Sequence, residues 1–224
     1  MKKYLFLLLT AFAMAVTFTA CSSDDDDNSS FTLSQSEITL KVKTGTEKLT
    51  ASAKDVNWSS ERPFIAAVNN EGYVRAIHVG ETNIIAKKDG HTQKCKVTVS
   101  PNYTTFAEPI TEFGKSKEYI ISKLGTPDRN EGETIAYGKS EDYQVTSYSF
   151  KNGKLDRCMV ALRATDSRVV QLPMFFIERY EQKTSTIDGM VAYFNAPNEK
   201  EATMYVLFDP DYKYGHYWIY YTKK

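Results

Sequence analysis

The residues of this chain that could do chemistry are three cysteines, three histidines, one acidic pair and a dense group of tyrosines. Cys21 stands at the end of an apolar run, residues 5–20, behind Lys2 and Lys3, and four aspartates begin three residues later. A thiol at such a boundary is a nucleophile able to take a covalent adduct. Cys95 alternates with Val97 and Val99, and Cys158 with Val160 and Leu162, so each faces a core. Two thiols in separate cores cannot reach disulfide geometry, and both are expected to be free.

His78, His91 and His216 lie near no cysteine or carboxylate in a metal-ligand pattern. His78 and His91 are expected on exposed positions, and His216, after Tyr214-Gly215, in a loop. Asp209-Pro210-Asp211 could be half of a calcium loop, but without further spaced ligands it reads as a turn. No Gly-x-Ser-x-Gly elbow, P-loop or paired-glycine nucleotide motif occurs. No catalytic residue, metal or cofactor is therefore assigned, and the expectation is a protein that is not an enzyme. An enzyme without a familiar motif would need a pocket of converging polar groups in the C-terminal half. Basic and acidic residues balance at 28 each, with no basic stripe, so nucleic acid is not an expected partner.

The densest feature is aromatic. Thirteen of the 15 tyrosines, and Trp218, fall in residues 101–224. Along Tyr217-Trp218-Ile219-Tyr220-Tyr221 adjacent rings must point to opposite faces of a sheet. Helices on one face leave the others toward water or a partner. Tyr212, Tyr214, Tyr217, Trp218, Tyr220 and Tyr221 are the candidate binding residues for a protein or a glycan, because tyrosine and tryptophan give large contact area at low entropic cost. The alternative is an aromatic packing face.

These residues need elements to hold them. A basic start, an apolar core and small residues before a cut site make a bacterial secretion signal over residues 1–20. The window Phe18-Thr19-Ala20-Cys21 resembles a lipobox, with Phe18 in place of the usual leucine. The resemblance implies cleavage before Cys21, a diacylglycerol thioether on it and a further palmitate-type chain on the new N-terminus. Several acyl chains anchor durably where one is marginal. Residues 22–30 contain only Ser, Asp and Asn, which have nothing to bury, so 21–30 is expected to be a disordered acidic tether. That segment also resembles the export signal of surface lipoproteins of some Gram-negative bacteria, which implies the outer face of the outer membrane.

Residues 31–100 read as short strands of period two. Ile38, Leu40 and Val42 alternate with polar residues, as do Val74 and Ala76, and Ile84 and Ala86. Gly45, Gly72, Gly80 and Gly90 punctuate them, with Asp89-Gly90 the strongest hairpin signal. Trp58-Ser59-Ser60, Pro63, Ile65-Ala66, Val68, Gly72, Val74, Gly80, Thr82 and the closing Cys95-Lys-Val-Thr-Val99 resemble the group 2 bacterial immunoglobulin-like domain. The resemblance implies an all-β sandwich, with Trp58 between the sheets, that acts as a spacer, a stalk or in some proteins an adhesion module.

Ser100-Pro101-Asn102 breaks the pattern and marks a boundary. A helix is expected over 116–124, stopped by Gly125, and a second from Ser167 to about Glu181 with Val170, Met174 and Ile177 at helical spacing and Pro173 inside it. Three strand-like runs follow each: 133–138, 143–150 and 154–162, then 187–195, 202–208 and 217–222. The expected C-terminal fold over 101–224 is α+β, two αβββ units with both helices on one face of an antiparallel sheet of about six strands. Leu124-Gly-Thr-Pro127, Tyr148-Ser-Phe150 and Asn152-Gly-Lys-Leu155 resemble small outer-membrane-assembly and β-lactamase-inhibitor-like lipoproteins, which implies protein binding rather than catalysis.

Together these features predict a non-enzymatic, surface-exposed outer-membrane lipoprotein. The membrane is a partner through the lipid on Cys21, and an immunoglobulin-like spacer presents a C-terminal domain of adhesion type. The rival expectation is a structural or assembly subunit of an envelope complex.

Overall fold

The computed structural model describes residues 31–139, 142–213 and 215–224, with backbone alone for 211–213. Cys21, the leader and the acidic segment lie outside the described residues. Phe31–Lys224 forms one compact unit containing two large hydrophobic clusters.

The first cluster is a β-sandwich. Its strands are β1 (Glu37–Lys41), β2 (Thr46–Lys48), β3 (Asn57–Ser60), β4 (Ala66–Val68), β5 (Tyr73–Ala76), β6 (Gly80–Lys88) and β7 (His91–Ser100). One sheet has the order β1-β7-β6-β3 and the other β2-β5-β4. Period-two patterning sets which side is buried: Ile38, Leu40, Val74, Ala76, Ile84, Cys95, Val97 and Val99 all face the core. Asp89 and Gly90 both take positive φ, 47° and 80°, as a type I′ hairpin requires, and Lys88 pairs with His91 across it. Gly72 is needed for space as well as for its φ of 82°: a Cβ there would lie 2.3 Å from the Leu49 carbonyl oxygen. Trp58 is half-buried and packs at the margin of this core, on the outermost strand of its sheet, rather than at its centre.

The second cluster lies under a larger sheet. Its elements are α1 (Lys117–Leu124), β8 (Arg129–Glu131), β9 (Thr134–Tyr137), β10 (Gln144–Lys151), β11 (Lys154–Arg163), α2 (Leu172–Ile177), β12 (Glu181–Gln182), β13 (Val191–Phe194), β14 (Met204–Lys213) and β15 (His216–Lys223). The sheet has eight strands in the order β12-β13-β14-β15-β11-β10-β9-β8. This corrects the expected αβββ units: four strands, not three, follow each helix. The added strands, β8 and β12, are three and two residues long, too short to show alternation. The last strand, β15, closes beside β11 and welds the two halves, with Cys158 opposite Tyr221 and Val160 opposite Ile219.

Helix α1 begins where the Ser116 side chain accepts from the Tyr119 N–H and ends at Gly125, whose φ is 83°. The second helix is shorter than expected. Asp166 caps a 3-10 segment, Ser167–Gln171, and α2 starts only at Leu172 because Pro173 is tolerated in a first turn and not in a helix interior. Leu172, Phe175 and Phe176 face the core, whereas Val170, Met174 and Ile177, the residues at regular spacing, face outward.

A buried polar junction joins the sandwich to the second cluster. The Val79 N–H donates to the Glu178 carbonyl (2.8 Å). The buried Glu178 carboxylate accepts from the Asn102 side chain (2.7 Å) and from the N–H groups of Asn102 (3.0 Å) and Tyr103 (3.1 Å). Arg179 donates to the Tyr103 carbonyl (3.1 Å) and pairs with Glu108 (3.0 Å). His78 also belongs here. It is 1 % exposed, which overturns its expected surface position. It follows the buried Val74 and Ala76 at period two and stacks on Phe64 at 4.0 Å.

Candidate functional site: the open face of the large sheet

Alternation along the strands of the large sheet sorts its residues into two faces. Tyr148, Cys158, Val160, Val206, Ile219 and Tyr221 point to the side covered by α1, α2 and the segment around Phe106. Ser147, Met159, Ala161, Trp218, Tyr220 and Leu207 point to the other. Register places Met159 and Leu207 on either side of Tyr220, and Ala161 and Asp209 on either side of Trp218. On this second face Trp218 and Tyr220 stay half-buried, and among the described residues no α-helix packs over them.

Small side chains shape the surface. Ala136, Val145, Ser147, Ala161 and Ala192 are buried on this face, and the larger Met159, Trp218 and Tyr220 are half-buried. The relief contains two grooves. One, of about 670 Å³, runs between Tyr220, Arg157 and Thr222 and the turn at Asp188–Gly189. The other, of about 520 Å³, is floored by Ala161 and Ser147, flanked by Trp218 and Met159, and rimmed by Asp128, Arg129 and Lys139. Both volumes fall in the range of ligand clefts. Asp128 is fixed at the rim by the Gly138 N–H, which donates to its Oδ2 at 2.8 Å.

The six candidate aromatics separate. Trp218 and Tyr220 lie on the open face, one in each groove. Tyr217 is on the covered side, its ring 5.9 Å from that of Phe208. Tyr221 is fully buried, with its hydroxyl donating to Glu108 at 3.3 Å. It therefore cannot touch a ligand, a correction that follows from its register opposite Cys158 and Val206 on the core face. Tyr212 belongs to β14, its side chain outside the described residues, and Tyr214 lies outside them altogether.

The other titratable candidates also have clear settings. Burial pushes the Cys158 thiol up to about 12 and raises that of Cys95, and both cysteines are free, one in each core. His216 opens β15 rather than lying in a loop, and it borders the Trp218 groove. Asp209-Pro210-Asp211 is part of β14, where the pairing register shifts, rather than a free turn. Among the described residues no group of three His, Cys, Asp or Glu is placed to hold a metal ion. The rim residues Arg129 and Lys139 escaped sequence reasoning. They are isolated charges 10 residues apart that only the β8–β9 hairpin brings to one groove.

Residues 29–104 match the model of the bacterial Ig-like domain (group 2). No curated protein matches the chain. Among solved structures, a cysteine-rich secretory protein from Staphylococcus aureus subsp. aureus Mu50 aligns at 15 % identity and a TM-score of 0.29, over 52 % of this chain and 47 % of that one. This chain thus spans about half the length of that protein. Domains 5–6 of the S-layer protein SbsC align at 14 % identity and a TM-score of 0.28, over 88 % of this chain and 84 % of theirs.

Proposed function

We propose that this chain is a non-enzymatic lipoprotein of the bacterial cell surface whose Ig-like module carries a ligand-binding sheet. In this reading residues 1–20 are the signal, Cys21 holds the lipid in the outer membrane and 21–30 is the tether. The sandwich of 31–100 is a spacer, and 101–224 binds a protein or glycan. The observation that carries the binding role is the open sheet face, where Trp218 and Tyr220 border two grooves. Half-buried aromatics beside polar rims are what recognition surfaces are made of.

The spacer role has a geometric support. Strand β1 runs parallel to β7, and β7 ends at the junction that Asn102 makes with Glu178. The chain before Glu37 therefore enters away from the junction. Ten residues of β7 give the sandwich a length of about 30 Å along that strand.

Two experiments test the reading. Metabolic palmitate labelling should mark the protein and be lost in Cys21→Ser; labelling that survives the substitution contradicts the anchor. Full-length protein in detergent, applied to glycan and protein arrays, should retain a ligand whose binding falls at least tenfold in the Trp218→Ala/Tyr220→Ala variant. Retention that is indifferent to both substitutions contradicts the binding face.

A second reading, an assembly subunit, draws on the outward stripe of Val170, Met174 and Ile177, of which Val170 is 78 % exposed. A stoichiometric partner co-purified from membranes and released by Val170→Asp/Met174→Asp favours it.

A further inference from the structure

Resting on the binding role proposed for the open face, we infer that the groove beside Trp218 takes an acidic saccharide, a chain of carboxylated sugars. Three features of the groove carry this. Its floor lies on β10, β11 and β15, interior strands whose backbone groups are paired on both sides. The floor therefore has no main-chain donors to lend an extended peptide, and recognition across it must come from side chains.

Those side chains suit a sugar. The Trp218 indole supplies a flat apolar flank beside the small side chains of Ala161 and Ser147. A pyranose ring offers a matching face of C–H bonds and directs its hydroxyls outward to a polar rim. Asp128 keeps Oδ1 as an acceptor for such hydroxyls while Gly138 holds its Oδ2.

The rim also sets the charge. Arg129 and Lys139 are two cations against the single carboxylate of Asp128 among the lining residues. Among the described residues neither cationic side chain has an ion pair or hydrogen bond. A guanidinium beside an ammonium is suited to a carboxylate, the first by a bidentate fork and the second as a point charge.

The test is a titration of the full-length chain in detergent with tetragalacturonate, its neutral methyl ester and hexaglutamate. It is read by indole fluorescence in a Trp58→Phe background and by calorimetry on the unmodified chain. The acid should bind at least tenfold tighter than the ester. Arg129→Gln/Lys139→Gln should erase that preference, and Trp218→Ala should weaken both sugars. Ester and acid binding alike, with Trp218 still required, overturns the acidic-sugar inference and leaves the binding face standing. Hexaglutamate binding as tightly as the sugar acid overturns it in favour of an anionic peptide. No binding of any probe by either readout removes the inference, and array ligands sensitive to Trp218 and Tyr220 would then decide the wider reading separately.

Discussion

His78 sits against the Phe64 carbonyl through Nδ1 (2.8 Å), with Lys43 Nζ (3.4 Å) and the Glu181 carboxylate (3.3 Å) both at Nε2. Burial disfavours a charged ring, and Lys43 adds to that. The Phe64 carbonyl and Glu181 oppose it without winning, so the ring's pKa lies below the ordinary histidine value. The unfolded chain then binds the proton more readily than the folded one. Stability is full above about pH 6.5 and falls as the pH drops through that value. Urea unfolding at pH 7.5 and 5.5 should show the loss, and His78→Gln should reduce it; an equal loss in the variant contradicts the assignment. The buried thiols predict a second outcome. With the Cys158 pKa pushed up to about 12, neither Cys95 nor Cys158 should react with maleimide in the native protein, and both should react in guanidinium. The alternation of Cys95 and Cys158 with valines was enough to place both inside. His78 had the same signal in Val74 and Ala76, and its polar type masked it.

Elements were legible where a local stop or a long alternation announced them. Ser116 and Gly125 bound α1, and Asp89-Gly90 and Asn152-Gly153 turn the two hairpins with the positive φ that their sequences favour. The short β8 and β12 carry no such pattern and exist because a neighbouring strand offers an edge. The second helical segment misled by its regularity, since the evenly spaced Val170, in the 3-10 turn, and Met174 and Ile177, in α2, face outward. Two substitutions separate the cases. Ile219→Ala, fully buried in the strand that joins the two halves of the sheet, should cost about 2–4 kcal/mol. Val170→Asp should change stability by under about 0.5 kcal/mol. Denaturant midpoints check both, and equal losses would contradict the assigned faces.

At the scale of the molecule, the Glu178 carboxylate ties the segment that leaves the sandwich, at Asn102 and Tyr103, to the large sheet, beside the bond of its own carbonyl to the Val79 N–H. Glu178→Ala leaves the Asn102 and Tyr103 donors without their acceptor and should cost about 3 kcal/mol. Calorimetry should show one transition in the parent and two in the variant; a single unshifted transition contradicts the coupling. The sequence could mark a module boundary at Pro101 but not this contact, because its partners lie 76 residues apart. It could also place rings on both faces of a sheet without telling which face the helices cover. That choice depends on α2 and the segment around Phe106 packing against Tyr148, Val160 and Tyr221. Trp218 and Tyr220 are left on the side proposed to meet a ligand.

The most direct test of a lipid-held surface protein that presents this face uses the silence of its buried thiols. Arg157→Cys places one reactive thiol on the open face, in the Tyr220 groove. A membrane-impermeant maleimide should label it on intact cells, and the label should leave the cell fraction when Cys21→Ser removes the anchor. Labelling only after the outer membrane is permeabilised would contradict the account.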